Sequence, residues 1–213
     1  MGAWPMSDPP LSRGFRGRRG GADAAAAARV PPGQHVTADF PVLSAGPTPR
    51  TRPEDWSFAL QHGGSLLAKW SWAEFNALPQ TRITVDIHCV TKWSKLDTEW
   101  EGVTVDALLA AAGLREPPAP FAMLHCDGGY TTNLPLADML GGKAMVALRH
   151  GGAPLPPEHG GPARLLVPHL YFWKSAKWVR RLRFMERDAP GFWESLGYHI
   201  RGDPWREQRY EGD

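Results

Sequence analysis

Cysteine is scarce in this chain, and its spacing limits the chemistry that it can support. Only Cys89 and Cys126 occur among the 213 residues, and neither lies in a C-x-x-C pair or at the Cys/His spacing of structural zinc sites. Long apolar runs are also missing, since no stretch approaches the roughly 20 apolar residues of a membrane-spanning helix. Neither a zinc site nor a membrane span is therefore predicted.

The chain also lacks a strong excess of either charge. Its 24 Lys and Arg residues nearly balance 22 Asp and Glu residues, for a net charge of +2. Nucleic-acid-binding domains usually carry a strongly basic face, and membrane-surface binders a basic amphipathic helix, so both classes are disfavoured. The length is sufficient for one domain with a substantial core.

The N-terminal residues differ in composition from the rest of the chain. Residues 1–33 are rich in Arg, Ala and Gly, so we predict a disordered tail before a single domain over residues 34–213. The pair Arg18-Arg19 is compatible with a twin-arginine export signal. The apolar run after it is short, weakly hydrophobic and closed by Arg29, which makes a poor signal core. We therefore predict a cytoplasmic protein.

Local patterns favour an α+β domain with a mixed β-sheet and short helices. Residues 71–74 read as a capping box in which Ser71 and Glu74 start a short helix, and Thr104 is placed to cap a second one. Residues 179–184 alternate as a strand. Residues 35–49 contain three prolines and a glycine, which predicts an extended loop laid over the domain.

Residues 83–89 predict the strand that matters most for function. Ile83, Val85, Ile87 and Cys89 alternate with polar residues, which is typical of a half-buried strand that ends at a polar segment, residues 91–94. Taken alone, the pattern leaves two interpretations of Cys89 open. It is either a small buried hydrophobe or a thiol held at the sheet edge, where a ligand can approach.

Four motifs together resemble a known family. They are CVTKWS at residues 89–94, LPPEHGGPARLLVP at 155–168, WKSAKW at 173–178 and a Trp-containing tail that ends near Tyr210. Over roughly residues 35–210 the chain resembles the molybdopterin-binding domain of the sulfite oxidase family. The small haem-free members, related to the catalytic molybdoenzyme of the methionine sulfoxide reductase system, are the most similar. The tail is expected to fold back near the site.

The resemblance implies that Cys89 is the thiolate ligand of molybdenum. A soft thiolate suits a metal that is already bound by dithiolene sulfurs. Lys92 and Trp93 follow directly and would border the open face of the metal, so they join Cys89 as candidate catalytic residues. The implied cofactor is Mo-molybdopterin. A disulfide between Cys89 and Cys126 is compatible with the sequence, but it would conflict with the ligand role, so we expect two free thiols and a reducing compartment.

The same resemblance implies further cofactor contacts. Lys174 and Lys177 lie three residues apart and would both turn toward the pterin phosphate, and the planar fork of Arg164 suits phosphate or the pterin edge. A solvated basic edge is the alternative for the two lysines, a surface position for His159 and a buried structural thiol for Cys126. The full predicted set is Asp39, Phe40, Cys89, His125, Cys126, His159, Arg164, Lys174, Ser175, Ala176 and Lys177.

The implied function is an oxidoreductase that transfers one oxygen atom to or from a small sulfoxide- or sulfite-like substrate. Sulfite oxidases gather several arginines around the sulfite anion, whereas this chain has Lys92 and not a cluster of arginines after Cys89, so both substrate types stay open. No haem or iron–sulfur motif is present, and a separate electron-transfer protein is therefore expected. The alternative is a cofactor-binding or interaction module of the same fold without turnover.

Overall fold

The computed structural model describes residues 26–213. Most of the predicted disordered tail, residues 1–25, lies outside this range, so the tail stays a prediction. From Ala26 onward the chain runs as an N-terminal arm, residues 26–38, along the domain. Arg29 attaches this arm by ion pairs of 2.5 Å to Asp86 and 2.6 Å to Asp97.

Residues 26–213 form eleven strands. In chain order they are β1 (His35–Val36), β2 (Ser57–His62), β3 (Ser65–Ser71), β4 (Thr81–His88), β5 (Trp93–Thr104), β6 (Phe121–Cys126), β7 (Thr131–Pro135), β8 (Met145–His150), β9 (Ala153–Pro154), β10 (Arg164–Leu166) and β11 (Val179–Met185). The predicted α+β class with mixed pairing is confirmed. The strands are divided between two sheets, where the sequence had suggested one.

Both sheets are mixed because each contains one parallel pair. In the first sheet β1 pairs in parallel with β5, while β4, β8, β9 and β10 extend it by antiparallel pairing. In the second sheet the order is β3-β2-β11-β6-β7, and only β2 and β11 are parallel. The connections between the strands are mostly loops and short 3-10 turns, which place many side chains at the sheet edges.

The helices are short and begin at the residues that the sequence predicts. Ser71 and Glu74 form the capping box of α1 (Trp72–Ala77), and Thr104 accepts from the Ala107 amide at 3.2 Å to cap α2 (Val105–Ala111). None of the helices in the described range is long and apolar enough to cross a membrane. Single 3-10 turns are Pro53–Asp55, Asp127–Gly129, Leu136–Asp138, Pro157–His159, Phe172–Lys174, Glu194–Leu196 and Pro204–Arg206.

Two apolar clusters share β8. The larger cluster lies between the sheets, where Val146 of the first sheet and Phe58 and Leu182 of the second belong to one buried core. The smaller cluster takes the alternate residues Met145 and Ala147 and therefore lies on the opposite face of the first sheet. Cys89, Trp93 and Trp100 belong to this second cluster.

The predicted strand that ends at Cys89 is β4, and a tight turn follows it. The Cys89 amide donates to the Trp93 carbonyl at 2.8 Å, and the Lys92 amide donates to the Cys89 carbonyl at 3.0 Å. Lys92 adopts the left-handed conformation with φ of 74°. The Cys89–Lys92 turn is thus the link of the β4–β5 hairpin, and Trp93, which was predicted to lie in a polar segment, starts β5.

Gly102 is required where β5 pairs with β8. A Cβ atom at this position would collide with the Val146 carbonyl and lie 2.6 Å from the Ala147 Cα. Because both neighbours are backbone, Gly102→Ala is expected to lower the free energy of unfolding by about 1–3 kcal/mol, measured by urea denaturation. Gly46→Ala is the control, since nothing lies within 4 Å of its added Cβ. Equal stability of the two variants would contradict this view of the β5–β8 contact.

Candidate functional site

A cavity of about 310 Å³ opens beside the Cys89–Lys92 turn. Its walls come from the loop after the N-terminal arm (residues 40–45), the turn itself, the segment 172–178 and the C-terminal tail through Trp193 and Tyr198. None of the lining residues is Asp or Glu, whereas Arg164 and Lys177 both face the cavity. The cavity therefore has a positive charge that no lining carboxylate neutralises.

Cys89 lies at the wall of this cavity, and 6% of its surface is exposed. Burial raises the pKa of its thiol, while the Thr91 hydroxyl, which donates to the sulfur at 3.1 Å, opposes that shift. A thiolate at this position consequently needs stabilisation by a nearby positive charge. Cys126 is also a free cysteine.

The protein alone does not form a metal site around Cys89. Within residues 26–213 no three His, Cys, Asp or Glu side chains lie close enough together to hold a metal ion. A metal bound to Cys89 would have to carry its other ligands with it. The donor set thus fits a metal that arrives already bound to the sulfurs of an organic cofactor.

Arg164 is a buried cation that has no acidic partner within residues 26–213. It is 2% exposed, and its guanidinium donates to the carbonyls of His159 at 2.9 Å and Ser175 at 2.5 Å. The guanidinium also lies 4.1 Å from the centre of the Phe172 ring. Burial lowers the pKa of Arg164 to about 9. In the described part of the chain no carboxylate pairs with it, so an anionic ligand in the cavity would be strongly favoured.

Lys177 adds a second cation to the same cavity. Its ammonium donates to the Glu158 carbonyl at 2.8 Å and lies 4.8 Å from the Trp178 ring centre. Burial, together with the nearby charge of Arg164, lowers the pKa of Lys177 to about 8. An anion placed between the two cations would restore that pKa and be held by both charges.

Aromatic rings provide the flat apolar surface of the site. Phe40 stacks on His159 with ring centres 4.0 Å apart and an angle of 14° between the planes. The Phe40 and Trp93 rings pack edge to face, with their centres 6.3 Å apart. The Trp93 indole nitrogen is buried without a hydrogen-bond partner in residues 26–213. A buried donor normally has an acceptor, so this nitrogen fits a planar ligand with acceptor atoms.

The structure brings together most, but not all, of the residues predicted from the sequence. Among the cavity-lining residues are Phe40, Cys89, Trp93, His159, Arg164, Ser175, Ala176 and Lys177. The other predicted residues, which do not line it, are Asp39, Lys92, His125, Cys126 and Lys174. The Cys126 thiol is enclosed, and burial followed by the charge of Asp127 raises its pKa. Burial, with Arg181 and Arg183 nearby, lowers the pKa of His125 to about 4.

Lys174 points away from the cavity into a buried polar cluster. Its ammonium lies 2.5 Å from Glu194 and donates to the Asn133 side chain at 2.9 Å and to the Ile200 carbonyl at 2.6 Å. The Glu194 carboxylate also accepts from the Trp173 indole at 3.0 Å. Lys174 therefore holds the C-terminal tail against the domain, and its charge is already paired.

Several wall residues of the cavity were not singled out by the sequence. The tail folds back as expected and places Tyr198 and Trp193, with ring centres 5.0 Å apart, in the wall. Tyr130, between β6 and β7, also lines the cavity, and its hydroxyl donates to the Trp173 carbonyl at 2.7 Å. The tail composition was a partial signal for Trp193, but nothing in the local sequence separates Tyr130 from an ordinary turn residue.

Comparison with known proteins identifies the family to which this chain belongs. The family model of the oxidoreductase molybdopterin-binding domain matches residues 45–193. The uncharacterised oxidoreductase YuiH of Bacillus subtilis is 47% identical over 189 residues, which cover 87% of this chain and 93% of YuiH. The chain therefore belongs to the oxidoreductase molybdopterin-binding domain family.

Two more distant relatives carry names that state an activity. The putative protein-methionine-sulfoxide reductase subunit YedZ1 of Azospira oryzae is 28% identical over 175 residues, which cover 81% of this chain and 66% of that protein. Mitochondrial sulfite oxidase of Rattus norvegicus is 31% identical over 108 residues, which cover 46% of this chain and 20% of that protein. The predicted resemblance to the sulfite oxidase family is confirmed. The chain is an oxidoreductase whose cofactor is Mo-molybdopterin.

The paired state of Lys174 leads to a stability prediction. Lys174→Met leaves the Glu194 carboxylate buried without its cation, so the free energy of unfolding should fall by about 3–5 kcal/mol in urea denaturation. Adding Glu194→Gln, which keeps an acceptor for Trp173, should recover much of that loss. Lys177→Met is the matched control, and we expect little loss of stability because Lys177 forms no ion pair within residues 26–213. Equal losses in Lys174→Met and Lys177→Met would contradict the structural role of Lys174.

Proposed function

We propose that this protein transfers a single oxygen atom to or from a small sulfoxide- or sulfite-like substrate, with Cys89 as the thiolate ligand of the molybdenum. The observation that carries the proposal is the position of the Cys89 sulfur in a cavity that holds two cations and no carboxylate. A metal needs the thiolate, and an anionic organic cofactor needs the cations. The Cys89 thiol and the two cations lie in the same cavity.

The residues of the cavity divide the task of holding the cofactor. Arg164 and Lys177 would hold the phosphate, and the Ser175 hydroxyl, which accepts from the Val167 amide at 2.9 Å, could add a donor. Phe40, stacked on His159, and the Trp93 indole would hold the pterin. The bound group supplies the redox and oxygen-transfer chemistry.

The protein controls access to the reacting centre. Tyr198, Trp193 and Leu43 lie in the same cavity as Cys89 and narrow the space in which a substrate can approach. Thr91 holds the sulfur by its hydroxyl and keeps it oriented. Exclusion of water strengthens the interactions between these groups and a bound anion.

Electron supply is expected to need a second protein. The sequence carries no haem or iron–sulfur motif, and the relative from Azospira oryzae is named as a subunit, which supports a separate electron-transfer partner. We place the protein in the cytoplasm on the basis of its poor export signal. The choice between a sulfoxide and sulfite depends on measured turnover with each.

The test compares the two cysteines as a matched pair. Wild-type protein made with molybdate in a host that synthesises the cofactor should contain about one molybdenum per chain and release pterin fluorescence. Turnover of dimethyl sulfoxide with a reduced viologen, and of sulfite with ferricyanide, should fall at least about 100-fold in Cys89→Ser. Cys126→Ser should retain activity.

Two results would overturn the proposal. Folded wild-type protein that contains neither molybdenum nor pterin would contradict binding of the cofactor. Equal turnover in Cys89→Ser and Cys126→Ser would contradict the role of Cys89 as the molybdenum ligand. Bound cofactor without turnover of any oxo-donor or oxo-acceptor would instead favour a binding module.

A further inference from the structure

The Cys89–Lys92 turn is held by groups from outside the hairpin. Gln34 donates its side-chain amide to the Cys89 carbonyl at 3.0 Å, and the His35 amide donates to the Lys92 carbonyl at 2.9 Å. Both donors belong to the N-terminal arm. Because the direction of the Cys89 side chain is fixed by its backbone, these bonds help to determine where the sulfur lies.

Arg209 connects the C-terminal tail to the same turn. Its Nη1 donates to the Val90 carbonyl at 3.1 Å, and its Nη2 donates to the Pro32 carbonyl in the arm at 3.2 Å. The guanidinium lies 5.0 Å from the Tyr171 ring centre. One side chain thus bridges the residue after Cys89, the arm and the tail.

The surroundings of Arg209 are shaped to fit it. Its side chain is 11% exposed, and the nearest acidic group, Glu207, is 3.7 Å away and about half exposed. A Cβ atom on Gly33 would lie 3.2 Å from Nη2, so the arm approaches the guanidinium closely at that position. The two carbonyls are therefore the main partners of a largely buried cation, and its planar fork suits two acceptors better than lysine would.

We propose that Arg209 is a positioning residue for Cys89. It fixes the Cys89–Lys92 turn against the N-terminal arm so that the sulfur faces the cavity, and it does not itself line the cavity. The role assigned to the sulfur rests on the proposed function, while the bridging role of Arg209 is testable without it.

The first test measures hydrogen exchange by mass spectrometry in the full chain. In Arg209→Gln the amides of residues 89–93 should exchange about tenfold faster, because the bond from Arg209 to the turn and its bond to the arm are both lost. Exchange in β6 should stay unchanged, which excludes general unfolding. Arg209→Lys keeps the charge but not the fork and should give an intermediate rate, and exposed Arg206→Gln in the same tail is the control.

The second readout is the Mo(V) electron paramagnetic resonance spectrum of the loaded protein, which reports on the geometry of the metal–thiolate bond. Arg209→Gln should shift this spectrum, Arg209→Lys should shift it less, and Arg206→Gln should leave it unchanged. The proposal is overturned if residues 89–93 exchange alike in Arg209→Gln and Arg206→Gln, or if they and β6 change by the same factor. If instead Cys89→Ser keeps full turnover, the exchange result stands and only the ligand role fails.

Discussion

The structure depends on a buried positive charge, that of Arg164, with which no carboxylate in residues 26–213 pairs. Removing a guanidinium from water is costly, and Arg164 offsets that cost with two backbone carbonyls and an aromatic ring in place of a carboxylate. The carbonyls come from the segments that form two sides of the cavity. The charge and the shape of the site are therefore set by the same contacts.

Lys174 and Arg164 are both buried cations, but they have different partners. Lys174 and Arg164 are both fully buried, but Lys174 meets Glu194 and secures the C-terminal tail, whereas Arg164 faces the cavity. Lys177, three residues from Lys174, shares the cavity with Arg164. In residues 26–213 one of these cations has a carboxylate partner and two have none, which fits a rigid wall on one side of the cavity and the proposed anion site on the other.

Cys89 completes the site because the hairpin presents it at a fixed point. The thiol ends the buried face of β4, and the turn after it takes hydrogen bonds from both ends of the described chain. A sulfur carried by a mobile loop would lose orientation on each opening of that loop. Here Gln34 and Arg209, which are far apart in sequence, both donate to the turn that carries the proposed metal ligand.

The sequence predicted what depends on short-range signals. The capping box at Ser71 and the strand before Cys89 are local patterns, and both are present in the structure. The spacing of Lys174 and Lys177 suggested a shared phosphate, yet the 3-10 turn at Phe172–Lys174 sends the first lysine into the interior. Tyr130 reaches the cavity only through tertiary packing, which no local pattern reports.

X-ray absorption at the molybdenum edge tests the central claim most directly, because it counts the sulfur atoms bound to the metal. The account predicts one fewer sulfur neighbour in Cys89→Ser than in the wild type, and no change in Cys126→Ser. The same number of sulfur neighbours in the wild type and in Cys89→Ser would contradict it.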